Sequence, residues 1–179
     1  MDKTTAQTTS IKISKEILSL NPSAIISLYS IDLTDIFLEN GIKNVTGLSD
    51  QTIFRFHNQN QISSLSENNS IWFQNLEFIA TPIRIEGLEQ NAKGTVPRPK
   101  LSISVDSSHT PLLATLKEKI FELGDLTGAR VMRQRTFVKY LDSKSFINPP
   151  ADLASDPNVE FPRDIFFIGF RPIQCIQFF

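Results

Sequence analysis

The sequence predicts a mainly β domain, an antiparallel barrel or sandwich with one or two α-helices packed on it. Two patterns carry this. Several short segments alternate apolar and polar residues, among them Ile83-Arg84-Ile85-Glu86 and Leu101-Ser102-Ile103. Side chains on a strand alternate faces, so such segments line a sheet with one wet side. Only two stretches repeat apolar residues at helical spacing. A mostly strand-forming order with few helices argues for a closed or stacked sheet.

The elements follow in order. Met1 to Thr9 is polar and Thr-rich and reads as a mobile tail. Ile13, Ile17 and Leu20 recur at helical spacing, with Ser10 or Ser14 as the cap and Pro22 as the stop. Ile25, Ser27, Tyr29, Ile31 and Leu33 alternate with other positions as one strand. Asp35 to Ser70 reads as a long loop, rich in Asn, Gln and Ser toward its end, with a short strand at Ile53–His57. Trp72-Phe73 and Leu76-Glu77-Phe78 flank Gln74-Asn75, the composition of a tight hairpin turn. Thr110 caps and Pro111 starts a helix whose face is Leu113, Leu116, Ile120 and Leu123; Gly124 stops it. Val131 to Leu141 reads as a strand with Met132, Val138 and Tyr140 on one face. Arg133, Arg135 and Lys139 occupy the other, with Arg130 just before them. Ala151 to Pro162 reads as a loop, and Ile165–Phe170 and Ile173–Phe179 as the last strands. The expected organisation is an N-terminal tail and short helix over 1–22 and a single β-rich domain over 23–179, with the long loop at 35–70.

Composition narrows the function classes. A net charge of −1 over 179 residues exerts no general pull on nucleic acid or anionic lipid. The one cysteine, Cys175, excludes an internal disulfide and a multi-cysteine metal site within one chain, and Ile173 and Ile176 beside it suit an apolar core position. No apolar run is long enough to span a bilayer, and Met1 to Ser10 has no signal-peptide core. His57 and His109 lie far apart, lack acidic residues at ligand spacing, and read as surface or loop histidines. Glu86 and Glu89 read as a solvated strand end, and no serine sits in a nucleophile elbow. Lys93-Gly94-Thr95 lacks the upstream glycine and following helix of a phosphate loop. No catalytic residue, metal or cofactor is expected.

Two features point to assembly. The apolar run from Ile165 has no charged side chain after Arg171 and ends in Phe178-Phe179, which would be costly in water unless paired or covered. The loop bearing Lys93 and Arg98 joins two clean strands and can project as an arm. Candidate subunit contacts are therefore Lys93, Arg98, Arg130, Arg133, Arg135, Lys139, Phe178 and Phe179. For the basic strand face the expected partners are carboxylates of a neighbouring subunit. A nucleic-acid-binding or regulatory module using that face is the alternative, although it lacks interleaved aromatics for base stacking. A small hydrolase is a third reading.

Several blocks, in order, resemble the phage minor tail protein L family: Ser27–Thr34, Phe54–Asn58, Trp72 to Ile83, Gly94 with Arg98-Pro99, Asp125–Val131, Arg133–Phe137 and Tyr140–Asp142, then Phe146 and Ala151-Asp152. The resemblance implies a tail-tip component of the virion, assembled in the host cytoplasm, whose fold is akin to tail-tube and baseplate-hub barrels. It implies a homo-oligomeric ring, a trimer, below the tail tube. The implied partners are the distal tail or tube-end protein and the central hub or tip-fibre protein, with no membrane and no specific nucleic acid. Larger members carry a downstream cysteine-rich region that binds an iron–sulfur cluster; Cys175 alone provides no such ligand set, so no metal is carried over.

Overall fold

A computed structural model describes residues 3–39, 52–59, 69–87, 100–103, 115–116, 120 and 126–169. Their elements are α1 (Lys3–Ile17), β1 (Ile25–Asp32), α2 (Thr34–Glu39), β2 (Ile53–His57), β3 (Ile71–Phe73), β4 (Leu76–Ala80), β5 (Ile83–Glu86), β6 (Lys100–Ile103), β7 (Arg130–Phe137) and β8 (Asp164–Phe167), with 3₁₀ turns at Val138–Tyr140 and Ser143–Ser145. The protein is mainly β, as its alternating segments require. The chain divides into two compact units: Met1–Ile31, Arg55–Ala80 and Arg130–Phe166 form the first, and Asp32–Phe54, Thr81–Ala129 and Phe167–Phe179 the second.

The first unit is organised by a six-stranded sheet in the order β3-β4-β2-β1-β7-β8. β3 and β4 pair antiparallel, with Phe73 opposite Leu76. The two residues between them, Gln74 and Asn75, both have positive φ, 57° and 59°. Two consecutive left-handed residues are the signature of the type I′ turn, whose twist matches that of the flanking strands. The hairpin reads correctly from the sequence. β4 then lies beside β2 and runs parallel to it, Phe56 facing Ile79, so the sheet is mixed.

Two buried clusters pack within this unit. Ile26 and Leu28 of β1, Ile71 and Phe73 of β3, Phe78 of β4, and Leu141 and Phe146 beyond β7 form one buried cluster, with Val138 and Leu153 against it. Phe137, Tyr140 and Val159 form another, completed by Ile13 of α1 and by Phe161. The Phe137 ring meets Tyr140 edge-on at 6.0 Å and lies 5.4 Å from Phe161. Both are within the range of favourable aromatic pairs.

The N-terminus departs from expectation. Helix begins at Lys3, so the stretch read as a mobile tail is mostly α1. The helical spacing of Ile13 and Ile17 marked the second half of α1, with a cap expected at Ser10 or Ser14, but not its start at Lys3, because residues that α1 buries are polar: Thr9 and Glu16 are buried, whereas Ile11 and Ile17 are exposed. α2 was also missed, inside the segment read as loop. Its Ile36 and Phe37 are buried, and the Asp32 carboxylate accepts the Thr34 N–H at 3.0 Å at its start. Six residues are too few for a helical period to stand out.

In the second unit β5 and β6 pair antiparallel, Ile83 opposite Ile103 and Ile85 opposite Leu101. Ile83, Leu101 and Ile103 are buried, and Arg84 and Glu86 form an exposed ion pair at 2.7 Å. Gly128 has φ +91°, and a Cβ there would lie 3.7 Å from Ile36. Space is available, so it is the left-handed backbone that calls for glycine. Of the helix expected over Thr110 to Gly124, Thr115, Leu116 and Ile120 are described and helical; the rest lies outside the described residues.

Candidate assembly surface

β7 is the strand that the sequence marked as basic, and β8 flanks it at the sheet edge. The strand ends at Phe137, and the 3₁₀ turn over Val138–Tyr140 breaks the two-residue alternation. Lys139 therefore leaves the face on which Arg133 and Arg135 lie. A continuous strand to Leu141 was the expectation; apolar alternation does not register a tight turn whose own residues are buried on one side.

Each cation finds a carboxylate in its own chain. Arg133 Nε–H donates to Asp164 Oδ2 on β8 at 2.8 Å, and its Nη2 lies 2.6 Å from the same oxygen as an ion pair. Arg135 Nη2 lies 3.8 Å from the same oxygen, and its guanidinium lies 5.5 Å from the centre of the Phe161 ring. Arg135 Nε is buried without a hydrogen-bond partner. Lys139 donates to Glu16 of α1 and lies 5.1 Å over the Tyr140 ring. The three positive side chains expected to wait for a neighbour's carboxylates are thus already matched by Asp164 and Glu16. Neither acid is identifiable from spacing, since one lies 31 residues and the other 123 residues from its partner. Arg130 is exposed. Lys93, Arg98, Phe178 and Phe179 lie outside the described residues.

Glu16 and Lys139 shift each other's protonation. The hydrogen bond from Lys139, with a second from the Ser23 N–H (2.8 Å), holds the Glu16 carboxyl below its ordinary value. The same bond raises the Lys139 ammonium. A second clasp lies along α1. Lys12 meets Asp156 at 2.5 Å, and Thr9 Oγ1 donates to the Asn158 carbonyl at 3.1 Å. Burial of Asp156 works against its charge, but the hydrogen bonds from Lys12 and Asn158 outweigh it and leave its carboxyl lowered. α1 is thus held to the sheet mostly by polar contacts.

Beside α1 runs a groove of about 780 Å³, bounded by Ile13, Ser14, Gln74, Phe161 and Arg163 among others. Several polar groups around it are tied to one another. Arg163 and Gln134 both donate to Glu160, at 2.9 and 3.1 Å, and Gln74 donates to the Pro157 carbonyl at 2.7 Å.

His57 corrects the sequence reading. It is fully buried at the end of β2, not on a surface. Nδ1 accepts the Gln59 N–H at 3.2 Å, so Nε2 carries the proton and donates to the Asn69 carbonyl at 2.7 Å. Burial lowers its pKa and keeps the ring neutral. Both ring nitrogens are satisfied by backbone, which is a structural role. Among the described residues no cluster of three or more His, Cys, Asp or Glu is placed to hold a metal ion. No helix of the described residues is long and apolar enough to cross a membrane.

The chain is 25% identical over 138 residues to the tail tip protein L of Escherichia phage lambda, a match covering 77% of this chain and 49% of the relative. It spans about half the length of that curated relative. The family described as phage minor tail protein L matches residues 46–174. That range takes in β2 through β8, including the Arg133–Asp164 pair. It covers well over half of the sequence, and the chain accordingly belongs to the phage minor tail protein L family, a structural component of the phage virion.

Proposed function

We propose that the chain is a non-catalytic subunit of the tail tip that closes into a homo-oligomeric ring between the end of the tail tube and the central hub or tip fibre. The observation that carries this reading is the family match across residues 46–174. The chemistry supports it. Among the described residues Arg133, Arg135, Lys139 and Lys12 are paired with Asp164, Glu16 and Asp156, an arrangement suited to a rigid structural part. As contacts we propose Arg130 with the arm and terminal residues Lys93, Arg98, Phe178 and Phe179, and the outer faces of the pairs made by Arg133, Arg135 and Lys139. A trimer is the proposed stoichiometry.

The nucleic-acid reading loses its main support, because Asp164 and Glu16 already neutralise the basic residues it would use. Phosphate binding draws on cations that release counterions. Reconstruction of intact tails, with the chain labelled, tests the proposal. Density for it at the tip in a closed ring is the expected result. Its absence from the tail, or salt-dependent retention of oligonucleotide by the purified chain, would refute the reading.

A further inference from the structure

A docked helix ordinarily buries its apolar stripe and wets its polar one. α1 does nearly the reverse. Of its described apolar side chains only Ile13 packs against a buried cluster, whereas Ile11 and Ile17 are exposed. A row of polar attachments holds the helix instead. The Thr9 hydroxyl donates to the Asn158 carbonyl, Lys12 pairs with Asp156, and Glu16 pairs with Lys139. Positions spaced three and four residues apart share one face of a helix, so these groups form a single seam. The seam is incompletely filled. The groove of about 780 Å³ lies between Thr9, Ile13 and Ser14 on the helix and Pro157, Phe161 and Arg163 opposite. Close-packed contacts leave no such gap.

The helix has little stability of its own. Seven of its fifteen residues are Thr or Ile, which lose side-chain freedom in a helix. Its first turn holds no acidic residue to complement the helix dipole. A helix of this length is marginal in water even with favourable residues. α1 is therefore helical because it is docked. The tether beyond it, Leu18 to Pro22, is exposed at every residue. The chain is fixed again where the Ala24 carbonyl accepts the Val138 N–H at 2.9 Å.

We propose that α1 is a releasable strap: it lifts from the first unit and unfolds as one piece while the sheet stays folded, and so uncovers the apolar wall formed by Tyr140, Val159 and Phe161. Such an order–disorder change is a common switching device. Charge holds this one shut. Both ion pairs of the seam are partly reached by water, with Lys12 the more exposed of the two cations, so they are open to screening and to competition by other charged groups. The inference stands apart from the ring reading, because every part of the device lies within one chain.

Hydrogen exchange on the purified full chain, with and without urea, tests it. The α1 amides should exchange at least about tenfold faster than those of β1 and β7. Their rates should depend little on urea below the unfolding transition, because a local opening exposes little surface. The double variant Lys12→Met, Glu16→Gln should speed α1 exchange by about tenfold more while β7 keeps its rates. The same variant should enhance the fluorescence of a hydrophobic dye as Phe161 is bared. Lys15→Gln, on the exposed side of the helix, is the control and should change neither readout. α1 amides with the rates and urea slope of β7 overturn the proposal, since α1 then opens only with the whole unit. So does a double variant in which β7 speeds up equally, or one in which α1 exchanges faster and dye fluorescence does not rise. Should the double variant fail to fold, the exchange pattern of the unmodified chain decides.

Discussion

Replacing Asp164 by Asn tests whether one carboxylate holds the β7–β8 corner of the first unit. Asp164 Oδ2 accepts a hydrogen bond from Arg133 Nε, lies 2.6 Å from Arg133 Nη2 and lies 3.8 Å from Arg135 Nη2. At an effective dielectric of about 20, a unit pair at about 3–4 Å has a gross attraction of roughly 4–6 kcal/mol. Desolvation removes much of that. The side chains retain 17% (Arg133), 25% (Asp164) and 34% (Arg135) exposure, so water screens the pair further. Asn keeps the shape and loses the charge, leaving two guanidiniums facing each other. The expected loss is about 2–3 kcal/mol, below the 3–5 of a fully buried pair. For 179 residues that lowers the melting temperature by roughly 5–10 °C. The assay is urea unfolding of the single variant, of Arg133→Met, and of the two combined. A coupling energy of about 1–3 kcal/mol is expected from the cycle. An Asn variant within about 0.5 kcal/mol of the parent, or a coupling near zero, would refute the reasoning, because surface pairs give no more than that.

Glu16→Gln should loosen α1 and cost about 1.5–3 kcal/mol at neutral pH, read by denaturation and by exchange of the α1 amides. Because the Glu16 carboxyl is lowered in the fold, its contribution is present above the ordinary carboxylate value and is lost as pH falls through the lowered one; the Gln variant should lack that acid-side slope. His57 is also lowered, by burial, so the unfolded chain takes up its proton first and stability should fall as pH drops below 6.5. His57→Gln should remove this slope, and an unchanged slope would show that His57 is not its source. Ser145→Ala leaves the Trp72 N–H without its acceptor and should cost about 1–2 kcal/mol. It should also raise the aggregation rate measured by light scattering, as the β3 edge opens. Asn75→Val forces a β-branched residue to φ 59° and should cost at least about 1 kcal/mol by thermal unfolding, while Asn75→Gly should be near neutral.

The sequence by itself determined the elements whose signal is local. Alternation at Ile83–Glu86 and Lys100–Ile103 is set by the two-residue period of a strand and needs no partner to be visible. Gln74-Asn75 dictates its own turn, since few residues accept positive φ twice in succession. The blocks from Phe54 to Asp142 gave the family in the same way, because motif order is a property of the chain alone. Tertiary structure decided what each side chain meets. α1 was legible only in its second half, where Ile13 and Ile17 recur at helical spacing; its start at Lys3 was not, because the residues it buries there and beyond, Thr9 and Glu16, are polar. His57 looked like a loop residue because nothing local announces that β2 ends inside the first unit. Arg133, Arg135 and Lys139 looked like charges waiting for another subunit. Their acids, Asp164 and Glu16, come from β8 and α1, brought near only when the chain folds. Electrostatic partners are chosen by distance in space, and sequence separation carries no trace of it.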